Sequence, residues 1–152
     1  MAATQTNMQS LIRVCTAGFL AWLVPGAGHI LLRHRTRGWI LLITITLTFW
    51  SGVALGGPQD TVDPHKRLPW FMAQICTGSH GLVAYAWGEY LRAAPDQAKH
   101  ANPSFASVDA AVVYTGIAGL LNLLVILDAL SRADQPAPAP TPPTGQPARG
   151  SP

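Results

Sequence analysis

The chain has 152 residues, of which 49% are hydrophobic and only 11% are charged. Soluble domains carry about 25% charged residues, so this composition excludes an ordinary soluble domain. The net charge of +3 comes from short clusters of Lys and Arg between long apolar stretches. Such clusters are typical of the edges of membrane spans, whereas a nucleic-acid-binding surface shows a basic stripe interleaved with aromatic residues. We therefore expect no nucleic-acid partner.

Four apolar segments are long enough to cross a membrane as helices, since about 20 residues span the hydrocarbon core. They cover residues 14–32, 38–55, 68–87 and 108–130. Tryptophans lie toward the ends of the second and third segments, as they do in interfacial belts. The sequence thus predicts an all-α integral membrane protein with four transmembrane helices within residues 11–130, preceded by an N-terminal tail, residues 1–10.

The last segment, residues 131–152, is rich in proline and alanine. This composition cannot bury a core and favours extended polyproline-like conformations, so it predicts a disordered tail. A proline-rich ligand for an SH3-like domain is the functional alternative.

A short motif interrupts the first apolar segment and continues into an arginine-rich turn. Its residues are Pro25, Gly26, Gly28, His29, Arg33, Arg35, Arg37 and Gly38. Proline has no backbone N–H and clashes with the carbonyl of residue i−4, here Ala21, so a kink is expected at Pro25. Carbonyls freed by this kink must be covered by neighbouring helices or by a side chain such as His29.

This motif resembles the hairpin of the transmembrane-two-like proteins, whose signature runs roughly PGxG(H/Q)xYxGrxxxG. The matching residues are Pro25, Gly26, Gly28, His29, Arg35 and Gly38. Leu31 stands where an aromatic residue is usual, and Arg33 stands where a glycine is usual. The resemblance covers about the first third of the chain. It implies a small, largely uncharacterised bacterial membrane protein and supplies no catalytic residue.

Polar residues inside apolar segments are functional candidates by default. A rise of about 1.5 Å per residue places His29, Thr44, His80 and Thr115 at similar depths below one membrane face. The sequence therefore predicts one polar layer, with Asn122 near mid-bilayer joining helices and Asp128 near the opposite face. Paired histidines in such a layer could bind haem or a metal, or conduct protons; alternatively, each is neutral and bonds a nearby carbonyl or threonine.

No motif of nucleophilic, phosphate-binding or metalloprotease chemistry is present, so we expect a non-enzyme without a resident cofactor or metal. The leading interpretation is a multi-pass protein of a bacterial cytoplasmic membrane, acting as an accessory or scaffolding subunit. A small transporter, or a haem- or ion-binding protein using His29 and His80, is the alternative. The expected partners of this protein are the bilayer, other membrane subunits or a second copy of the chain bound through the GxxxG motif Gly52–Gly56.

Orientation rests on the turn that contains Arg33, Arg35 and Arg37, because arginine-rich short loops stay in the cytoplasm. With four crossings, both termini would then lie outside. The ten Lys and Arg residues divide equally between the two sides under this topology, so only the density and shortness of the turn favour it.

Overall fold

The computed structural model describes residues 2–94 and 105–133, and every regular element within those ranges is a helix. The helices are α1 (Ala2–Leu23), α2 (Ala27–Leu31), α3 (Arg35–Gly56), α4 (Pro58–Thr61), α5 (Leu68–Ile75), α6 (Ser79–Ala93) and α7 (Phe105–Ala133). Helix α1 already begins at Ala2, so the predicted N-terminal tail is helical over most of its length. Most of the predicted C-terminal tail, residues 134–152, lies outside the described residues.

Helices α3 and α7 form a long antiparallel pair at the centre of the fold. Gly52 of α3 packs so closely on α7 that a Cβ there would lie 2.7 Å from Thr115 and 2.9 Å from the carbonyl of Ala111. The buried Ile45, Phe49 and Val53 continue this contact into the core. Arg35–Gly56 and Ser107–Ala133 are long and apolar enough to cross a membrane, with mean hydropathies of 1.8 and 2.2. The second and fourth predicted segments are thus long apolar helices.

We call the end of this pair that carries Arg33, Arg35 and Arg37 the arginine end, and the opposite end the α4 end. At the arginine end the chain forms a hairpin from α1 and α2. Helix α1 descends from this end toward the middle, passing Leu130 at Gly18. Its direction reverses after Leu23, where Gly26 adopts a φ of 79°, a left-handed conformation that favours glycine.

Helix α2 then returns beside α1 to the arginine end, and Gly28 allows the close approach. A Cβ at Gly28 would lie 2.6 Å from the carbonyl oxygen of Ala17 and 2.9 Å from Cβ of Ala21. The first predicted segment is therefore not one kinked spanning helix. A kink bends a helix, whereas here the chain turns back after Pro25 and leaves at the end where it entered.

Helices α5 and α6 form a second hairpin, which enters from the α4 end. Arg67, just before α5, pairs with Asp109 at the start of α7. Arg92, near the end of α6, donates to the carbonyl of Gln59 at 2.6 Å and lies 3.5 Å from Asp63. Both ends of the hairpin therefore lie at the α4 end, and its turn is at Gly78, with a φ of 61°. The prediction of a single spanning helix over residues 68–87 is wrong.

The tips of the two hairpins meet halfway along the α3–α7 pair. Gly78 contacts the backbone of Trp22 so tightly that a Cβ would overlap the Trp22 carbonyl oxygen. Each half of the chain runs helix, glycine turn, helix, long helix, and the two halves run in opposite directions. A weak internal repeat accompanies this symmetry: Ala21 and Gly26 recur 52 positions later as Ala73 and Gly78.

This path changes which parts of the chain share an end. The start of α1, the arginine-rich turn and the end of α7 all lie at the arginine end. The predicted separation of the arginine turn from both termini is therefore wrong for the described part of the chain. Two segments counted as crossings turn back on themselves, so α7 runs in the direction opposite to the prediction.

Candidate functional site

The junction between the two hairpin tips is built on backbone carbonyls that lack helical partners. Pro25 has no N–H, so the carbonyl of Ala21 receives no i→i−4 hydrogen bond from it. The buried amide of Asn122 on α7 fills this position: its Nδ2 donates to the Ala21 carbonyl at 3.3 Å and to the Cys76 carbonyl at 2.8 Å. One amide group therefore joins both tips to a long helix.

Trp22 adds a second link between the hairpins. Its indole Nε1 donates to the carbonyl of Ile75, at the end of α5, over 3.2 Å. Buried backbone acceptors are almost always paired in folded proteins. Here Asn122 pairs the carbonyls of Ala21 and Cys76, whereas the Ile75 carbonyl also accepts from the Gly78 N–H at 2.9 Å. The expectation that freed carbonyls would be covered is confirmed, but Asn122 covers the Ala21 carbonyl and His29 does not.

A second buried polar cluster lies below the junction, toward the α4 end. Gln74 Nε2 donates to the carbonyl of Thr61 at 2.9 Å and to Oγ1 of Thr115 at 2.7 Å. The Thr115 hydroxyl in turn donates to the carbonyl of Ala111 at 2.9 Å. This cluster ties α5 to α7 and to the end of α4.

Within the described residues, some buried polar atoms of these clusters have no protein partner. They include Oδ1 of Asn122, Oε1 of Gln74 and Nδ1 of His29. An amide oxygen accepts hydrogen bonds, so the first two could accept from water or from a bound donor.

His29 lies at the arginine end and belongs to a charged cluster. Its imidazole is fully buried, and its Nε2 donates to Oδ2 of Asp128 at 2.7 Å. Arg132 Nε donates to the same oxygen at 2.8 Å. Asp128 was predicted near the opposite face from His29, and this placement is wrong because α7 runs in the other direction.

His80 has different partners, nearer the middle of the fold. Its Nε2 lies 3.1 Å from Oγ1 of Thr46, and the rings of Phe49 and Trp50 lie 6.1 and 6.4 Å from its ring. Thr44, which was predicted at the same depth, is exposed and lines a groove between α3 and α7.

The predicted polar layer of His29, Thr44, His80 and Thr115 is therefore not formed. Their contacts fall at different levels of α3: His29 near Leu41, His80 at Thr46 and Thr115 at Gly52. Eleven residues of helix separate the outer two levels, which is about 16 Å. The two histidines use their Nε2 atoms on separate partners, so they are not arranged as a pair of ligands. No group of three metal-binding side chains occurs among the residues described.

A groove runs between α3 and α7 on the arginine-end side of the molecule. It has a volume of about 460 Å³, and a smaller pocket of about 240 Å³ adjoins it. The groove is lined mainly by apolar residues, with two polar ones: Ile40, Leu41, Thr44, Ile45, Leu121, Leu124, Val125 and Asp128. The smaller pocket is lined by His29, Arg37, Ile40, Leu41 and Asp128. Ile40, Leu41 and Asp128 line both spaces, so the two spaces adjoin, with charged groups at the end formed by the smaller pocket.

Sequence reasoning missed Trp22 at the junction and Gln74 in the cluster below it. The available signal was the repeat at a spacing of 52 residues, which pairs the Gly26 turn with the Gly78 turn. The partnership of His29 with Asp128 had no local signal, because 99 positions separate them.

Taken together, the fold and site define an all-helical protein with two long apolar helices and two opposed hairpins joined by a buried asparagine. The chain belongs to DUF6677, a family of unknown function, whose model matches residues 16–139. No curated protein and no solved structure matches the chain. The family match does not bear on the resemblance to the transmembrane-two-like hairpin, which stays a prediction.

Proposed function

We propose that this protein is an integral membrane protein in which α3 and α7 cross the bilayer and the two hairpins are re-entrant. The distribution of side chains supports this setting. Leu47 and Leu124 are 63% and 62% exposed, whereas Asn122 and Gln74 are 0% and 1% exposed. A fold with apolar residues outside and polar residues inside suits lipid as its solvent. Backbone that leaves a helix at membrane depth is tolerated only where protein covers it, as it is at the two tips.

Charge supports an orientation with the arginine end in the cytoplasm. In the described chain this end carries the basic residues Arg13, Arg33, Arg35, Arg37 and Arg132 and one acidic residue, Asp128. The α4 end carries the basic residues Lys66, Arg67 and Arg92 and the acidic residues Asp60, Asp63, Glu89 and Asp109. Four crossings would divide these eight basic residues of the described chain equally, four on each side, whereas the path of the chain places five at the arginine end and three at the α4 end. Positive charge favours the cytoplasm.

The function we propose is non-enzymatic: the protein is a compact subunit of a membrane assembly in a bacterial cytoplasmic membrane. The observation that carries this proposal is the junction together with the Gln74 cluster below it. The side-chain N–H groups of Asn122, Trp22 and Gln74 donate hydrogen bonds to carbonyls and hydroxyls of neighbouring elements, so these residues hold the bundle together. Gly52 and Gly56 pack inside the chain against α7, which directs any partner to the apolar outer faces of the helices.

A small transporter is the second candidate, and the opposed hairpins favour it. Inverted repeats with interrupted helices meeting at mid-membrane are common in transporters, where helix ends contact the substrate. Oδ1 of Asn122 and Oε1 of Gln74 are buried acceptors without a partner in the described part of the chain. A transported substrate with hydrogen-bond donors would contact these two atoms.

Membrane insertion and topology are tested with single cysteines in a variant without Cys15 and Cys76. Cysteines replace the exposed residues Thr36 and Ser131 at the arginine end, and His65 at the α4 end. A membrane-impermeant maleimide should label position 65 in intact cells, and positions 36 and 131 only after permeabilisation. Labelling of only one of positions 36 and 131 in intact cells would refute the re-entrant topology, because the two positions would then lie on different sides of the membrane. Release of the protein by carbonate would refute insertion.

Purification and a proton-flux measurement distinguish the membrane-subunit proposal from the transporter proposal. As a subunit, the protein should purify in mild detergent with a stoichiometric membrane partner, and proteoliposomes should show no proton leak above protein-free vesicles. A lone monomer would contradict the subunit proposal. A leak that is abolished by Gln74→Leu but retained in the exposed control Ser51→Ala would favour the transporter.

A further inference from the structure

The groove between α3 and α7 has the shape and chemistry of a site for an amphiphile. Its volume of about 460 Å³ lies within the range of about 300–1,000 Å³ usual for small-molecule sites. Leu124 and Ile40, which line it, are 62% and 59% exposed, so the groove opens sideways, toward the surface that faces lipid in our proposed membrane setting. An apolar chain entering from the bilayer would meet an apolar wall along its length.

The charged end of the groove offers positive charge that is not already neutralised. Asp128 accepts from both His29 and Arg132, so its carboxylate is paired. Arg37 lines the same pocket but has no ion pair with any residue that the structure describes. It lies three positions before Ile40, which places it about 5 Å above the start of the groove.

We infer that this groove binds one phospholipid with an anionic headgroup. An acyl chain lies along Ile45, Leu121 and Leu124, and the phosphate lies at the Arg37 guanidinium. Basic residues beside the cytoplasmic end of a transmembrane helix attract anionic lipids, and Arg37 is the arginine of this end that lines the pocket. This inference rests on the proposed membrane insertion and adds a specific ligand class to it.

The site can be divided into its two parts by substitution. Arg37→Gln removes the headgroup contact, and Arg35→Gln is its matched control, since Arg35 is exposed on the same turn but does not line the pocket. Leu124→Trp fills the groove with a larger side chain. Leu120→Trp is the control for bulk, because Leu120 is 49% exposed on the same helix and lies outside the lining.

Binding is measured by native mass spectrometry of the full-length protein in detergent. The probes are dioleoyl phosphatidylglycerol, dioleoyl phosphatidylcholine with the same chains, and inorganic phosphate alone. We expect one tightly retained phosphatidylglycerol, weaker phosphatidylcholine and no retention of phosphate. Arg37→Gln should weaken phosphatidylglycerol binding about fivefold, the effect of one basic residue near an anionic lipid surface. Leu124→Trp should prevent binding of both lipids, whereas both control variants should bind like the parent.

Equal retention of the two lipids, unchanged by Arg37→Gln, would overturn the inference, because it indicates ordinary boundary lipid. Phosphate binding that survives Leu124→Trp would also overturn it, because it indicates a site for a free anion. The circular dichroism spectra of the Trp variants must match, so that a loss is not due to misfolding. If Leu124→Trp fails to fold, the pair Arg37→Gln and Arg35→Gln still decides the result. Failure here leaves membrane insertion standing, since carbonate extraction and cysteine labelling test that separately.

Discussion

Replacing Asn122 with leucine should destabilise the fold at both hairpin tips at once. The two side chains have the same branched arrangement of heavy atoms, and the leucine methyl groups are larger than the amide oxygen and nitrogen, so the change removes the hydrogen bonds without opening a cavity. The carbonyls of Ala21 and Cys76 lose the donor that each receives from Nδ2. Hydrogen bonds inside membrane proteins average about 0.6 kcal/mol, up to about 1.7, and an unpaired buried acceptor costs about 1–3 kcal/mol. We expect a loss of about 2 kcal/mol for the two bonds together.

The cause can be isolated because Pro25 is the reason that the Ala21 carbonyl is free. The preceding residue still makes a helical bond, from the Val24 N–H to the Leu20 carbonyl at 2.9 Å. Pro25→Ala would supply the next N–H in this series, directed at the Ala21 carbonyl. In the Pro25→Ala variant, Asn122→Leu should therefore cost only about 1 kcal/mol, a coupling of about 1 kcal/mol between the two positions.

The measurement is a double-mutant cycle of unfolding by SDS in mixed micelles, followed by circular dichroism. Ser131→Ala serves as the control: its hydroxyl bonds within its own helix turn, and the substitution should change stability by less than about 0.5 kcal/mol. Two results would refute the reasoning: an Asn122→Leu variant as stable as the parent, or a cost that is unchanged when Pro25 is replaced.

Other substitutions test the close contacts and the histidine separately, each by the same unfolding assay. Gly78→Ala should prevent stable folding, because the new Cβ would overlap the Trp22 carbonyl. Gly57→Ala is the control and should cost only about 1–3 kcal/mol of backbone strain. Both glycines have a positive φ, but the atom nearest to a Cβ at Gly57 is 3.4 Å away on a flexible side chain. Equal effects would contradict tip-to-tip packing. Gly52→Leu should unfold the chain without altering oligomeric state in the fraction that remains folded, and a stable protein that only loses dimers would contradict its internal role. His80→Phe should cost about 1 kcal/mol through the lost Thr46 bond and leave visible absorption unchanged; a haem band that disappears would contradict the structural role of His80.

The long helices α3 and α7 were predictable because length and hydropathy identify an apolar helix without reference to its neighbours. The path through the other two segments was not predictable, because hydropathy carries no information about the direction of the chain. An apolar segment that crosses and one that turns back have the same composition. Residues 14–32 and 68–87 both turn back, at Gly26 and Gly78. Counting them as crossings reversed α7, which placed Asp128 at the wrong end and Thr115 at the wrong depth.

Local chemistry was more informative than hydropathy at the Pro25 motif. The missing N–H of proline required a donor for the Ala21 carbonyl, and the structure provides one. Which residue provides it could not be read from the sequence, because Asn122 is 101 positions away from Ala21 and its approach depends on the packing of α7. The turn at Gly78 had a readable signal in its neighbours, since Thr77, Ser79 and His80 are unusual together in the middle of an apolar helix.

The position of Asn122 in the last helix has a consequence for biosynthesis. Both hairpin turns emerge from the ribosome before it, and the second turn precedes it by about 44 residues, or roughly 2–9 s at about 5–20 residues per second. During this interval the Ala21 and Cys76 carbonyls have no donor from α7, so neither hairpin tip reaches its final bonding state. Completion of the fold therefore waits for translation of α7. A nascent chain arrested before Asn122 should remain open to proteases and chaperones, whereas one arrested after α7 has left the ribosome should be closed.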